Sequence, residues 1–201
     1  SGGRGRLGRI WESPAGNLYC STLVRLRVND APAHLLAFVA GLAVLDTVRA
    51  VIPQCDARLK WPNDVHVAGA KLSGMLLERR GDAVVVGIGI NVALAPDVPG
   101  RRVTALHLEG AAHQIDAAAV LDLLATRFAS RLQQWRSDHA SLLDTWCASA
   151  HMPGEAMAVQ RGANDRIEGV FDGLRSDGAL RLRCADGRVE TISAGDVDLI
   201  G

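Results

Sequence analysis

The sequence predicts an α+β fold: a mixed sheet packed by helices over residues 1–151, followed by a small β unit over residues 152–201. Three observations predict it. Residues 57–92 hold successive strand-like runs rich in β-branched residues. Residues 33–52 and 116–137 carry apolar side chains at helical spacing. After His151-Met152-Pro153-Gly154 the pattern changes to short strands punctuated by Asn164-Asp165, Asp177-Gly178 and Asp186-Gly187, the grammar of a small antiparallel barrel or sandwich.

The elements follow in order. Residues 18–28 read as a strand after the Pro14-Ala15-Gly16-Asn17 turn. Asn29-Asp30-Ala31-Pro32 supplies an N-cap candidate and a proline suited to a first helical turn. The helix it opens runs to about Ile52, where Pro53 stops it, and its nearly all-round apolar surface predicts deep burial against a sheet. Strand-like runs then cover 57–61, 65–67, 71–78 and 82–92, with Ala68-Gly69-Ala70 as a hairpin turn. Pro96-Asp97-Val98-Pro99-Gly100 marks a surface loop, and helices are predicted over 116–137 and 139–150, with Trp135 and Trp146 as core. The last unit is read as four strands, 155–160, 166–174, 179–185 and 188–193.

Composition narrows the function. Of 201 residues, 22 are Lys or Arg and 22 are Asp or Glu, so no global field favours nucleic acid or a membrane surface. Cys20, Cys55, Cys147 and Cys184 lack metal-type spacing and suit reduced thiols in a cytoplasm. Leu35–Val48, interrupted by Gly41, Asp46 and Thr47, is read as a buried helix rather than a membrane span. The six histidines show no ligand spacing.

Four motifs carry chemistry. Gly3-Arg4-Gly5-Arg6-Leu7-Gly8-Arg9 is either a basic tail or an anion-binding loop, in which backbone N–H groups and guanidinium forks close over phosphate or carboxylate. Lys60-Trp61-Pro62-Asn63-Asp64 presents a carboxylate at a turn, as a catalytic group or as an Asx-turn residue. Lys71-Leu72-Ser73-Gly74 and Gly87-Ile88-Gly89-Ile90-Asn91 place a cation and three glycines on strands, and no helix follows the second motif as a dinucleotide fold requires.

Taken together, GGRGRLGRIWESPAGNLY, KWPND, AGAKLSGMLLE and VVGIGINV closely resemble the catalytic domain of bacterial biotin protein ligases, and residues 152–201 resemble the SH3-like C-terminal domain of those enzymes. The resemblance implies a class II synthetase-like fold and a two-step reaction. Biotin and ATP form biotinyl-5′-adenylate, and the adenylate acylates one lysine of a biotin carboxyl carrier protein, a subunit of acetyl-CoA carboxylase. ATP, biotin and Mg²⁺ are implied, the last by ATP chemistry rather than by a ligand cluster.

By the same resemblance Gly3, Arg4, Gly5 and Arg6 form the ligand-ordered lid, while Arg9 and Trp11 finish the nucleotide side, with the indole a wall for adenine or else core. Lys71 contacts the biotin carboxylate and α-phosphate, and Asp64 deprotonates or positions the acceptor lysine. Asn63 stands beside Asp64 in the turn, and Lys60 faces the phosphates or is a solvated strand-end lysine. Gly74, Gly87 and Gly89 clear a floor for biotin, and Asn91 lies near the nucleotide or its metal. The family's upstream Ser-Thr-Asn strand, its glutamine before the lid and the helix-turn-helix of some members are not in this sequence, so a pocket short of ureido-side donors and an exposed sheet edge are expected. Cytoplasmic localisation and a homodimer through the sheet are further expectations. A lipoate ligase, and a truncated module that only docks the acceptor, are the alternatives.

Overall fold

In the computed structural model, which describes residues 3–5, 8, 10–162 and 165–200 (apart from the Arg4 and Ile10 side chains), the chain begins with a two-stranded ribbon. Gly3–Arg4 (β1) pairs with Ile10–Trp11 (β2), Gly3 opposite Trp11. The next five strands are Leu18–Arg25 (β3), Ala57–Lys60 (β4), Asp64–Val67 (β5), Ala70–Arg80 (β6) and Ala83–Ile90 (β7), arranged β3-β7-β6-β5-β4. Tight hairpins join β5 to β6 and β6 to β7, so neighbouring strands run antiparallel. The expected mixed sheet is therefore antiparallel in its named strands, and the parallel contact is one isolated bridge, Lys71 to Val103. The β5–β6 turn has positive φ at both Ala68 (47°) and Gly69 (76°), which fits the right-handed twist of the flanking strands.

Alternation sends Val65, Val67, Leu72, Val84, Val86, Ile88 and Ile90 into one buried layer, which meets the helix Leu36–Val51 (α1). Pro32 does not cap α1. It opens a 3-10 turn, Ala33–Leu35, that runs straight into the helix, and Asp30 instead accepts from the Arg27 amide and pairs with Arg136 at 3.3 Å. Ala33–Val51 is long and apolar enough to cross a membrane, but here it is the core helix, packed on β4–β7 and on the helices Ala117–Ser137 (α2) and His139–Ala148 (α3). Its polar groups are satisfied: Thr47 Oγ1 donates to Ala43 O at 2.8 Å, and Asp46 takes two bonds from Arg131. Asp116 and Asp138 cap α2 and α3 by accepting from Ala119 and Ser141 amides.

The C-terminal strands are Ala156–Gly162 (β8), Asp165–Leu174 (β9), Leu180–Arg183 (β10), Val189–Ile192 (β11) and Asp196–Leu199 (β12). They form an antiparallel sheet in the order β11-β10-β9-β8-β12, with β11 and β12 at opposite ends, so among the described residues the expected barrel is an unclosed sheet. Sequence reading missed β12, which is four residues long and carries aspartates at alternate positions. The turn expected at Asn164-Asp165 involves Asn164, outside the described residues.

One buried cluster spans both sheets, from Leu35 and Phe38 through Trp146 to Met157, Phe171 and Leu180. Trp135 and Trp146 are core as expected, and Phe38 meets Trp146 edge-on at 5.1 Å. Two bonds clasp the β9–β10 turn to the segment after β4 and to the 3-10 turn before α1: Trp61 Nε1 donates to Gly178 O at 3.1 Å, and His34 Nε2 donates to Asp177 O at 2.6 Å. Gly178 has φ +77°, and a Cβ there would lie 2.5 Å from the Phe38 ring. Gly178→Ala is expected to lower stability by about 1–3 kcal/mol through overpacking and backbone strain, measured by chemical denaturation. An unchanged midpoint would show that the two sheets are not held together here.

Candidate active site

The hairpin β1–β2 lies over the open face of the first sheet, and between them is a cavity of about 740 Å³. It is lined by Gly3, Gly5 and Trp11 from the ribbon, Asn63 and Asp64 from the β4–β5 turn, Lys71 and Gly74 from β6, and Gly87, Gly89 and Asn91 from β7 and its end. Strand pairing and a bulge explain the convergence. Gly74 and Gly89 are cross-strand partners and Asp64 is opposite Gly74, while the register shift between Val65 and His66 skips Leu72 and sets Lys71 opposite His66, so one sheet face holds a carboxylate, a cation and a patch without Cβ atoms.

Trp11 uses that patch. A Cβ on Gly89 would sit 2.8 Å from the indole, and one on Gly74 would sit 3.0 Å from it. Gly87 is different, because its Cβ would meet only Leu76 O at 3.5 Å and Ser21 Oγ at 3.9 Å. Two of the three floor glycines thus admit the tryptophan, and the cavity's apolar wall is the indole as much as the sheet. Trp11 Nε1 is buried with no hydrogen-bond partner among the described residues. Lys71 Nζ lies 5.4 Å from the ring centroid, within cation–π range.

Lys71 Nζ donates to Asp64 Oδ1 at 2.7 Å, and both side chains are largely buried. His66 Nε2 stands 4.0 Å from the other carboxylate oxygen. Burial pushes the Asp64 carboxyl up, but His66 and Lys71 outweigh it and hold it at about 2. The backbone at Lys71 is fixed by a strap: Lys71 N donates to Arg102 O at 2.8 Å and Thr104 N to Lys71 O at 2.9 Å. This strap carries Arg101 to the cavity wall.

The remaining sequence candidates divide. Asn63 Nδ2 donates to Met75 O at 2.5 Å, which anchors the turn after the cis Trp61–Pro62 peptide. Asn91 lines the cavity, yet its amide is taken up by the protein: Nδ2 donates to Thr104 O, and Oδ1 accepts from Asn17. Ser73 is fully buried and donates to Gly89 O at 2.6 Å, so it braces the floor from beneath. Lys60 is not among the lining residues. It stands opposite Asp64 on the sheet edge, where burial lowers its ammonium against the pull of Asp64 and Asp198. Arg6 and Arg9 lie outside the described residues, and Arg4 is described by its backbone alone.

Sequence reading missed three contributors. Asn17 Oδ1 accepts from the Val92, Ala93 and Leu94 amides and so shapes the chain leaving β7. Asp196 of β12 reaches the cavity from the C-terminal sheet, and only the tertiary fold brings it there. His66 stands two residues after Asp64, and the period of a strand was enough to place both on one face.

Residues 1–94 match the Biotin/lipoate A/B protein ligase family, and residues 154–200 match the Biotin protein ligase C terminal domain. The chain is 37% identical over 210 residues to a biotin–[acetyl-CoA-carboxylase] ligase of Paracoccus denitrificans, covering 97% of this chain and 85% of the relative. A Mycobacterium tuberculosis protein of the same name is 35% identical over 200 residues, with 97% and 74% covered. The biotin protein ligase of Aquifex aeolicus, solved with biotin and ATP, is similar with a TM-score of 0.81 at 28% identity, covering 98% of this chain and 84% of that one. With a paired lysine and aspartate on a glycine floor beneath a Gly/Arg ribbon, and with this relatedness across nearly its whole length, the chain belongs to the biotin protein ligase family.

Proposed function

We propose that the cavity catalyses ATP-dependent ligation of biotin to a lysine of the carboxyl carrier protein of acetyl-CoA carboxylase. The single observation that carries this is the Lys71–Asp64 pair at 2.7 Å inside a cavity that the Gly/Arg ribbon covers. Lys71 is the cation on the cavity wall best placed to bridge a biotin carboxylate and an α-phosphate, lowering their repulsion as the acyl–phosphate bond forms. By the resemblance, Arg4, Arg6 and Arg9 are the guanidinium groups that would close over the mixed anhydride and keep water from it, and charge-assisted bonds are strong enough to order so short a segment. Trp11, whose indole lies against Gly89 with its N–H buried, supplies a flat wall for a bound ligand. Lys60, outside the lining, steadies the sheet edge beside Asp64.

Asp64 serves the second step. A carboxyl held at about 2 is a weak base for an ammonium whose ordinary value is near 10.4. Its work is therefore to hold Lys71 before the ligand arrives, and then to draw in the acceptor lysine by its charge once Lys71 has turned to the phosphate. Mg²⁺ would enter with ATP and would neutralise charge on its phosphates; among the described residues no group of His, Cys, Asp and Glu is arranged to hold a metal. Residues 152–201 form a second unit that closes the cavity through Asp196. The free cysteines suit a cytoplasmic protein.

Incubation with biotin, ATP, Mg²⁺ and a biotin carboxyl carrier domain tests the reading, with pyrophosphate release and acylated lysine as the two readouts. Lys71→Ala is expected to slow adenylate formation by roughly 100-fold or more, the scale of losing a principal electrostatic group. Asp64→Asn should leave that step in place and slow transfer. Equal failure of both variants at adenylate formation would overturn the division of roles. Gly89→Ala should displace the Trp11 indole and weaken ligand binding in calorimetry, with the thermal midpoint nearly unchanged; unaltered affinity would remove the indole from the site.

The ion pair also makes stability depend on pH. The folded value of Asp64 lies below its ordinary 3.8, so its contribution is fully present above that pH and is lost as pH falls through about 2. Denaturation midpoints across pH 5 to 2 should reveal ~2 kcal/mol from this group, and a smaller loss in Lys71→Met. An identical acid profile in the two proteins would remove Lys71 as the partner that holds Asp64 ionised.

A further inference from the structure

Asp64 has two carboxylate oxygens, and the proposed reaction uses one cation for two purposes. Lys71 holds Oδ1 at 2.7 Å, yet it must turn to the ligand's anionic oxygens during adenylate formation. Something else has to keep the carboxylate charged and oriented from then until transfer. His66 stands at the other oxygen, its Nε2 4.0 Å from Oδ2 and shielded from solvent.

The ring's orientation is informative. Nδ1 is 3.2 Å from Gly69 O, a group that can only accept, so Nδ1 carries a hydrogen. Nε2 has no hydrogen-bond partner among the described residues and faces an anion. A neutral ring in this pose turns a lone pair toward the carboxylate, whereas an imidazolium turns an N–H toward it. The 4.0 Å gap is ion-pair distance, beyond hydrogen-bond reach while Lys71 occupies the other oxygen.

The charged surroundings single out Asp64 as the partner. From β4, Arg58 lies opposite His66 but is tied to Asp56 at 2.9 Å, and Lys60 flanks Asp64. From β6, Lys71 is the cross-strand neighbour. From the start of the C-terminal unit, His151 repels an imidazolium but stands 3.4 Å from Glu155, which offsets it. Asp64 is the carboxylate within ion-pair distance of His66 among the described residues.

We infer that His66 is a positioning residue for Asp64 in the transfer step, taking over as the carboxylate's counter-charge when Lys71 turns to the anionic ligand. This rests on the role proposed above for Asp64. It makes Asp64 the shared centre of two alternating ion pairs, with Lys71 before adenylate formation and with His66 after it.

The test measures the two half-reactions separately on the full chain, with biotin, ATP and a biotin carboxyl carrier domain. His66→Leu should slow transfer from preformed adenylate about tenfold in kcat, the scale of one hydrogen bond to a charged group. The KM for the carrier domain and the rate of adenylate formation should stay near those of the unaltered protein. His66→Lys, whose ammonium restores a positive charge facing Oδ2, should recover most of the loss, and His66→Met replaces His66→Leu in the comparison if that variant does not fold. Equal slowing of both half-reactions, or a Lys variant as slow as the apolar one, overturns the inference. Asp64→Asn separates it from its premise. Slow transfer in Asp64→Asn with normal transfer in His66→Leu defeats the inference alone, while normal transfer in Asp64→Asn defeats the role of Asp64 and this inference with it.

Discussion

An ammonium and a carboxylate 2.7 Å apart, both largely withdrawn from water, are costly to bury and costlier to separate. The Lys71–Asp64 pair therefore constrains much of the first sheet. Its geometry requires the register shift between β5 and β6 at Val65 and His66, which brings Lys71 beside Asp64 in the hairpin that Ala68-Gly69 closes. A Cβ on Gly74 would crowd the pair, standing 3.2 Å from Nζ and 3.3 Å from Oδ1. The same absence of side chains lets the Trp11 indole settle alongside. One glycine thus serves the ion pair and the aromatic wall together.

The C-terminal sheet is tied to this arrangement from behind and from above. Behind the site, the Trp61 indole donates to Gly178 O two residues before Asn63 anchors its turn on Met75, so the KWPND segment is held at both ends by backbone carbonyls. Above it, β12 carries Asp196 to the cavity and Asp198 toward Lys60. A hydrophobic cluster continuous across both sheets makes these contacts part of one body.

Much of this was legible from residues alone, and the reasons are local. The strands around Val65, Val86 and Ile88 declare themselves by β-branching and period, and α2 and α3 by their apolar periodic runs, whereas the capping roles of Asp116 and Asp138 emerge only in the fold. Asp30 misled because a capping residue is recognised by the apolar run downstream of it, whereas here a distant arginine on α2 claims the carboxylate. The strand β12 escaped because four residues with two aspartates carry little hydrophobic signal, and its partner β8 lies far away in sequence. Within the site, the motif residues Lys71, Asp64 and the glycines could be found in sequence order. What could not be read was the contact between Trp11 and Gly89, which joins residues 78 positions apart and sets the indole against the glycines that line the cavity. Asn91 shows the converse: a residue in a telling motif whose amide is spent on Thr104 and Asn17.

A pocket meant for anions that places a carboxylate in its wall looks self-defeating until the order of events is considered. Before ligand arrives, an unpaired Lys71 in a largely buried site would be expensive, and Asp64 supplies the charge that makes a buried cation tolerable. On the proposed reading, biotin and ATP bring carboxylate and phosphate oxygens and Lys71 changes partners at little net cost, because one ion pair is exchanged for another of the same kind. On that reading the carboxylate left behind is free to meet an incoming lysine, and the ion pair is a stored arrangement that the first substrate would open for the second.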